Sequence, residues 1–405
     1  MAIRFSELRL WIVAWLYALW LNGLTYVFYL TEGSASTELE LALLLGSIPV
    51  FVQIWLLGID KRGWRTGILF SWLFVIAILL SYVGNIESWV MWVFVFNIIF
   101  VFIVGMIIAA CPNSRIITST AASYAVLGTM LLLTANLTED YKMGRLGSSL
   151  GPNFWGLIAA SVAASSFAFR SRTLGVICWI VVLMTLYNTS ARGSMLAVLA
   201  GLSGVVWYSL LSTRKPMMAT VLLGLTANLL VFVIILNLLP QITTFIWQDL
   251  LKTNDPYRGL GTGFTGRTAV WSETLNIWLE APFFGVGFRQ HESLLTTASS
   301  AHNGYLAMLI DTGILGLVVY VTFIGYSLHA TLRAITDPRT KRVILAIIVT
   351  YLVMGLFDRR ALNAGNAFSI WFIIACFYAL RARARKLGLS RPLLIFSERR
   401  LRVGS

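Results

Sequence analysis

Long apolar runs separated by short polar connections make up most of this chain. A helix needs about 20 mostly apolar residues to cross the hydrocarbon core of a bilayer. Twelve runs approach or exceed that length, so the pattern predicts an all-α polytopic membrane protein with about twelve transmembrane helices. We place these helices at residues 9–30, 39–59, 66–84, 88–110, 116–135, 153–169, 173–189, 193–211, 216–239, 304–332, 343–357 and 366–380.

One connection is far longer than the others, and it divides the chain into four regions. The first nine predicted helices occupy residues 1–239, a long loop occupies 240–303, helices ten to twelve occupy 304–380, and a basic tail occupies 381–405. Within the loop, residues 265–280 repeat apolar side chains at helical spacing. They predict an amphipathic helix at the membrane interface, and Pro282 follows its end.

The composition supports a membrane protein and excludes several other classes. Hydrophobic residues make up 58% of the chain and charged residues only 12%, with a mean hydropathy of +0.80. Soluble globular chains carry roughly twice that charged fraction. A soluble enzyme and a disordered chain are therefore excluded. Three cysteines, Cys111, Cys178 and Cys376, lie in or beside apolar runs, so the sequence offers no disulfide framework.

Basic residues are distributed unevenly between the two predicted sides of the membrane. Of 31 lysines and arginines, 22 fall in one set of connections and the tail, and nine fall on the opposite side. The positive-inside rule then places both termini in the cytoplasm and the loop 240–303 outside. This topology and contact with anionic lipid headgroups explain the net charge of +14, so we expect no nucleic-acid partner.

Two arginines on the predicted outer side are candidates for binding an anion. Arg192 ends the loop after the seventh span, and no acidic residue lies within ten positions of it. An arginine at that place suits an anionic ligand or, alternatively, a lipid phosphate. Arg267 falls in the first turn of the predicted loop helix, where the alternative is a solvated side chain on a lid helix.

His302 is the candidate proton acceptor, because it immediately precedes the tenth predicted span. The partial positive charge of a helix N-terminus disfavours imidazolium and leaves a neutral imidazole. A capping or interfacial histidine is the alternative, with Asn303 or Ser300 as the other candidate caps. We interpret His291, in the charged stretch from Arg289 to Glu292, and His329, near the inner end of a span, as histidines without a catalytic role.

Several segments in order along residues 145–320 resemble the O-antigen ligase and Wzy-type polysaccharide polymerase superfamily. The resemblance rests on 151–156, 190–193, Thr265-Gly266-Arg267 with Trp271, Pro282 with 285–288, 301–306 and 313–316. It implies a GT-C-like transferase of the bacterial cytoplasmic (inner) membrane, active on its periplasmic face. The implied donor is a glycan on undecaprenyl diphosphate. The implied acceptor is a second lipid-linked glycan for a polymerase, or the lipid A core for a ligase.

The resemblance also implies roles for individual residues. Arg192 and Arg267 would hold the diphosphate, and His302 would serve the acceptor hydroxyl as base or positioner. From the same outer segments we predict six substrate-binding residues: Arg289, Arg145, Lys142, Asn303, Trp271 and Tyr305. Acidic residues of the loop are scattered without a DxD pair, so we expect no metal and no cofactor.

Polymerase and ligase remain alternatives within this superfamily, and the run 301–306 looks more like the polymerases. A lipid-linked glycan transporter is the rival from another class, with Asp311 and His329 as its ionisable residues within spans. Transporters tend to contain paired repeats, and we find no internal repeat in the sequence. A non-catalytic assembly scaffold is the third reading.

The predicted orientation can be tested by cysteine labelling. In a variant without the three native cysteines, Asp255→Cys should react with a membrane-impermeant maleimide added from outside. Asp337→Cys should react only after permeabilisation, because the charge distribution places it in the cytoplasm. Reversed labelling would contradict the orientation and every role assigned to the outer face.

Overall fold

The computed structural model describes residues 5–30, 37–83, 90–142, 145–147, 151–211, 267–298, 300–358 and 366–388. This part of the chain folds into helices and one small hairpin. The helices are α1 (Phe5–Leu30), α2 (Thr37–Leu44), α3 (Ser47–Leu57), α4 (Trp64–Ser81), α5 (Val90–Ala109), α6 (Ile116–Thr138), α7 (Pro152–Ser166), α8 (Arg172–Thr189), α9 (Arg192–Leu211), α10 (Arg267–Glu280), α11 (His291–Leu294), α12 (Gly304–Ala334), α13 (Pro338–Met354) and α14 (Ala367–Lys386). Two short antiparallel strands, β1 (Tyr141–Lys142) and β2 (Arg145–Leu146), form the hairpin.

Eight helices of the described residues are long and apolar enough to cross a membrane: α1, α4, α5, α6, α8, α9, α12 and α14. The prediction of an all-α polytopic membrane protein is therefore confirmed. Three further predicted spans correspond to shorter helices, namely the pair α2 and α3, then α7, and then α13. The predicted span 216–239 lies outside the described residues.

The predicted span 39–59 is two helices, with a break at Leu45 and Gly46. Pro49 lies in the first turn of α3, and a proline ring in a continuous helix would clash with the carbonyl four residues earlier, here that of Leu45. The indole of Trp20 packs directly over Gly46 and donates a hydrogen bond to the Ala42 carbonyl at 3.1 Å. The hydrophobic pattern did not predict this break because both halves are apolar.

Helices α7 and α14 lie at the centre of the bundle. Every residue of α7 from Phe154 to Ser166 is buried, which explains how a helix of only 15 residues can lie within the bundle without facing lipid along its length. Buried hydrogen bonds connect it to its neighbours: Ser161 to the Tyr124 hydroxyl of α6 at 2.8 Å, and Trp371 of α14 to Ser165 at 2.9 Å. The centre of the protein is therefore specified by polar pairs as well as by packing.

The outer surface of the bundle exposes large apolar side chains. Trp55 is 83% exposed, Phe51 69% and Trp72 61%. A soluble protein would not leave so many large apolar side chains in water, whereas contact with lipid chains makes them favourable. These surfaces are consistent with a bilayer around α3 and α4.

Basic residues gather at one end of the bundle around Asp60. Its carboxylate pairs with Arg62 at 2.9 Å, with Arg381 at 3.3 Å and with Arg385. Arg381 is buried and also donates to backbone carbonyls of the connections before α4 and before α6, including that of Cys111 at 3.1 Å. Helix α14 continues to Lys386, so the first residues of the predicted tail are helical and partly buried.

Helix α12 is broken near its N-terminal end at Gly313, whose φ of 64° and ψ of −169° are not helical. The loop that follows α10 fills the break. Val286 and Gly287 donate to the carbonyls of Ile310 and Asp311 at 2.9 and 3.1 Å, and Ile314 donates to the Pro282 carbonyl at 2.9 Å. A Cβ atom on Gly313 would collide with the backbone of this loop, so glycine is required by both space and conformation.

Candidate functional site

Arg192 begins α9 at the end of the bundle opposite to Asp60. Helix α8 ends at Thr189, the following Ser190 adopts a left-handed conformation with φ 48°, and α9 starts at Arg192. This tight turn is packed closely: a Cβ atom on Gly193 would lie 2.7 Å from the Cβ of Phe357. The turn therefore fixes Arg192 beside the chain that leaves α13.

Arg145 and Lys142 lie on the hairpin next to this turn. The Arg145 guanidinium donates to the Thr189 carbonyl at 2.6 Å, to the Ser190 carbonyl at 3.4 Å and to the Asn153 side chain at 3.2 Å. A cation at a helix C-terminus is stabilised by the helix dipole. Arg145 thus supports the turn before Arg192, while the Lys142 side chain lies outside the described residues.

Arg267 begins α10 and shares an electrostatic environment with Arg192 and Asp358. Burial lowers the pKa of the half-buried Arg267 guanidinium, the Asp358 carboxylate raises it, and the neighbouring Arg192 guanidinium lowers it. Interactions of this kind require the three groups to lie close together. The structure therefore brings together two arginines that are 75 positions apart in the sequence.

Trp271 connects α10 to the segment that precedes α12. It lies one helical turn after Arg267, and its indole N–H donates to the Ala301 carbonyl at 3.0 Å. His302 follows directly, is partly exposed, and has a left-handed φ of 48°. Such a conformation costs on the order of 1 kcal/mol or more for a residue other than glycine, and functional sites are where this strain is usually found.

Asn303 caps α12. Its side-chain oxygen accepts hydrogen bonds from the Tyr305 and Leu306 amides at 2.9 and 3.1 Å. The first amide of the helix, that of Gly304, donates to the Gly355 carbonyl at 2.7 Å, and the Tyr305 hydroxyl donates to the Leu352 carbonyl at 2.8 Å. Asn303 and Tyr305 were both predicted to bind substrate; in the structure Asn303 caps α12, and the Gly304 amide and the Tyr305 hydroxyl hold α12 against α13.

A series of contacts thus links the predicted site segments at this end of the bundle. Gly193, next to Arg192, packs on Phe357; Gly355 accepts a hydrogen bond from Gly304; and Ala301, next to His302, accepts one from Trp271 of α10. The predicted residues Arg192, Arg267 and His302 lie on this series. Asp358 is not among the residues predicted from the sequence, where its neighbours Arg359 and Arg360 suggest a local ion pair; both arginines lie outside the described part of the chain.

Arg289, a predicted substrate-binding residue, has partners within the protein. It has a left-handed φ of 67°, forms an ion pair with Glu292 at 3.0 Å and lies over the Phe94 ring at 5.4 Å from its centroid. These contacts place it beside α5.

His291, which we interpret from the sequence as a histidine without a catalytic role, is buried. Its side chain is 2% exposed, and its Nδ1 lies 2.8 Å from Asp311 Oδ1, whose side chain is 4% exposed. The backbone amide of His291 donates to the same oxygen at 3.2 Å. The charged neighbours of His291 in the sequence do not indicate this burial. Asp311, an acidic residue inside a long apolar run, is the one signal of a buried polar pair.

Glu273 attaches the end of the loop to α10. Its carboxylate accepts hydrogen bonds from the hydroxyl of Thr297, and from the hydroxyl and amide of Thr296, both at 2.7 Å. The Thr297 hydroxyl, followed by that of Thr296, lowers the pKa of Glu273 to about 2. The carboxylate therefore stays ionised and keeps these bonds at any physiological pH.

Comparison with known families gives a match to one of them. Residues 176–321 match the model of the O-antigen ligase family, which confirms the resemblance seen in the sequence. The matched region contains Arg192, Arg267, His291 and His302, and it ends before Asp358. No curated protein matches the chain.

Proposed function

Because residues 176–321 carry an O-antigen ligase family domain, and because members of this family are enzymes that transfer glycans, we propose that this protein is a membrane glycosyltransferase. Its donor is a glycan on undecaprenyl diphosphate, and the reaction takes place on the periplasmic face of the bacterial cytoplasmic membrane. The observation that carries this proposal is that Arg192, Arg267 and His302 all lie in the matched region, in segments linked by the contacts of Gly193 with Phe357, Gly304 with Gly355 and Trp271 with Ala301.

The two guanidiniums suit the diphosphate leaving group. The bond between the anomeric carbon and the diphosphate oxygen breaks, and its electron pair stays on that oxygen. Fixed cations in a partly buried place stabilise the developing charge more than they would in water. Planar guanidiniums can also grip two phosphate oxygens at once.

His302 suits the acceptor side of the reaction. The acceptor hydroxyl oxygen forms the new bond to the anomeric carbon, and its proton goes to an imidazole nitrogen. A neutral imidazole is a suitable base near pH 7, and the N-terminus of α12 favours the neutral form. The left-handed backbone and the two anchored neighbours, Ala301 and Asn303, hold this residue in place.

The orientation of the bundle follows from its two ends. Asp60 and its arginines mark a basic end, and Arg192, Arg267 and His302 lie at the other end. If the basic end faces the cytoplasm, as the positive-inside rule predicts, the site faces the periplasm and both termini lie in the cytoplasm. Lipid-linked donors are assembled in the same membrane, and their polyprenyl chains can pack against the apolar outer surface.

The acceptor is a second lipid-linked glycan, which makes the enzyme a Wzy-type polymerase of an exopolysaccharide or O-antigen. Ligation to the lipid A core is the second candidate, since the matched family is described by that activity. Purified protein in liposomes with an undecaprenyl-diphosphate oligosaccharide should give a ladder of longer lipid-linked glycans. Transfer to added rough lipopolysaccharide would favour the ligase, and translocation without a new glycosidic bond would favour a transporter.

Substitutions at the three site residues should lower activity without unfolding the protein. Arg267→Lys keeps the charge but loses the planar guanidinium that can bind two phosphate oxygens at once, so we expect the activity to fall about tenfold or more. His302→Ala should cost about a hundredfold or more. His302→Asn tolerates the left-handed backbone, so an equal loss there would exclude strain as the cause.

Two matched controls accompany these variants. Arg172→Lys lies at the exposed start of α8, and His329→Ala lies within α12, and both should keep wild-type rates. Expression, membrane insertion and melting temperature must be equal across the set. Full activity in Arg267→Lys together with both His302 variants would remove the basis of the proposed mechanism.

Activity should also be independent of divalent metal ions, because arginines take the place of the cation at the leaving diphosphate. Rates measured after treatment with EDTA should equal those of untreated protein. If chelation abolished activity and Mg²⁺ or Mn²⁺ restored it, the acidic residues, with Asp358 first, would have to be reassigned as metal ligands.

A further inference from the structure

Beyond the residues that would contact substrate, the buried pair of His291 and Asp311 requires an explanation. Asp311 lies in the last turn of α12 before the break at Gly313, and His291 lies in the loop that fills this break. Both side chains are almost completely buried. A buried carboxylate is costly unless hydrogen bonds compensate for it, so a pair of this kind is retained where it fixes something.

The hydrogen bonds of the pair define its chemistry. Asp311 Oδ1 accepts a hydrogen bond from the backbone amide of His291 at 3.2 Å and lies 2.8 Å from its Nδ1, so the two side chains share a hydrogen bond at Nδ1. Nε2 is buried and has no hydrogen-bond partner among the described residues. With its ring enclosed, His291 does not face the open side of the site. Its function therefore depends on Nδ1 and on the loop it anchors.

The loop that contains His291 connects the pair with both parts of the candidate site, the start of α10 and the segment before α12. After leaving α10, it enters the break in α12 at residues 282–287, is fixed at His291, and returns to α10 at Glu273. It then passes Trp271 and ends at His302. The position at which the loop is fixed on Asp311 consequently sets the angle between α10 and α12. Arg267 is the first residue of α10, and His302 lies just before α12.

We infer that His291 and Asp311 are positioning residues: their hydrogen bond locks the loop into the break of α12 and so holds Arg267 and His302 in register. This inference rests on the proposed glycosyl transfer for its kinetic consequence, but the lock itself is independent of it. Misplacing reacting groups by about 1 Å costs on the order of a hundredfold in rate. Loss of the lock should therefore lower kcat and leave KM for the donor nearly unchanged.

Substitution by asparagine or glutamine can distinguish the roles of the two ring nitrogens of His291. His291→Asn places an amide N–H near the position of Nδ1, and His291→Gln places one near that of Nε2. A lock through Nδ1 predicts that the Asn variant keeps kcat within about threefold, while the Gln variant loses about tenfold or more. Asp311→Asn, which keeps the acceptor oxygen, should resemble the wild type, and Asp311→Leu should resemble His291→Gln.

Hydrogen exchange measures the lock without any glycan substrate. The amides of Val286 and Gly287, which bond to the broken helix, should exchange faster in His291→Gln and Asp311→Leu than in the wild type or in His291→Asn. Ser161→Ala is the matched control, because it removes the buried hydrogen bond to Tyr124 far from this loop. It should change neither the exchange of these amides nor kcat.

Each result bears on the inference. Wild-type exchange and kcat in Asp311→Leu would show that the pair holds nothing in place. An inactive His291→Asn with wild-type exchange would show that the imidazole acts chemically, which would also overturn a positioning role. Failure of the proposed function is recognised separately, because Arg267→Lys and His302→Asn would then keep activity while the exchange experiment still reports the lock.

Discussion

The need to satisfy backbone hydrogen bonds in an apolar environment determines the architecture around the broken helix α12. A break at Gly313 releases carbonyl and amide groups that a membrane protein cannot leave unpaired. Here the backbone of the loop from Pro282 to Gly287 provides the missing partners on both sides of the break. Loop and helix are consequently one structural unit, so the segment with α10 has a defined position on the bundle.

Charge is arranged differently at the two ends of the bundle. At the basic end, Asp60 and several backbone carbonyls surround Arg381, so its charge is compensated within the protein. At the other end, Arg267 experiences the like charge of Arg192, with Asp358 as the opposing carboxylate. Two adjacent guanidiniums repel each other, and an anionic ligand relieves that repulsion. We propose a structural role for the first end and a binding role for the second.

Local signals in the sequence predicted much of the fold. Apolar run length located the eight long spans, and helical spacing with a following proline located α10. The same signals failed at Gly46 and Gly313, because a run of apolar residues looks continuous whether or not the helix inside it is broken. Arg192, Arg267 and His302 were predicted from residue type, predicted side of the membrane and the family resemblance, without any evidence of their proximity. The burial of His291 could not be predicted from its charged neighbours in sequence, because its partner Asp311 is twenty positions away.

The sequence by itself determined the class of protein, the uneven distribution of basic charge, and the segments that resemble the O-antigen ligase family. Those properties depend on how each stretch of chain interacts with lipid or water. The residues within that stretch are enough to determine this interaction. Only the tertiary structure decided that Asp358 lies beside the two arginines and that His291 is locked to the broken helix. Such pairings depend on the relative position of distant segments, which arises from the packing of the whole bundle.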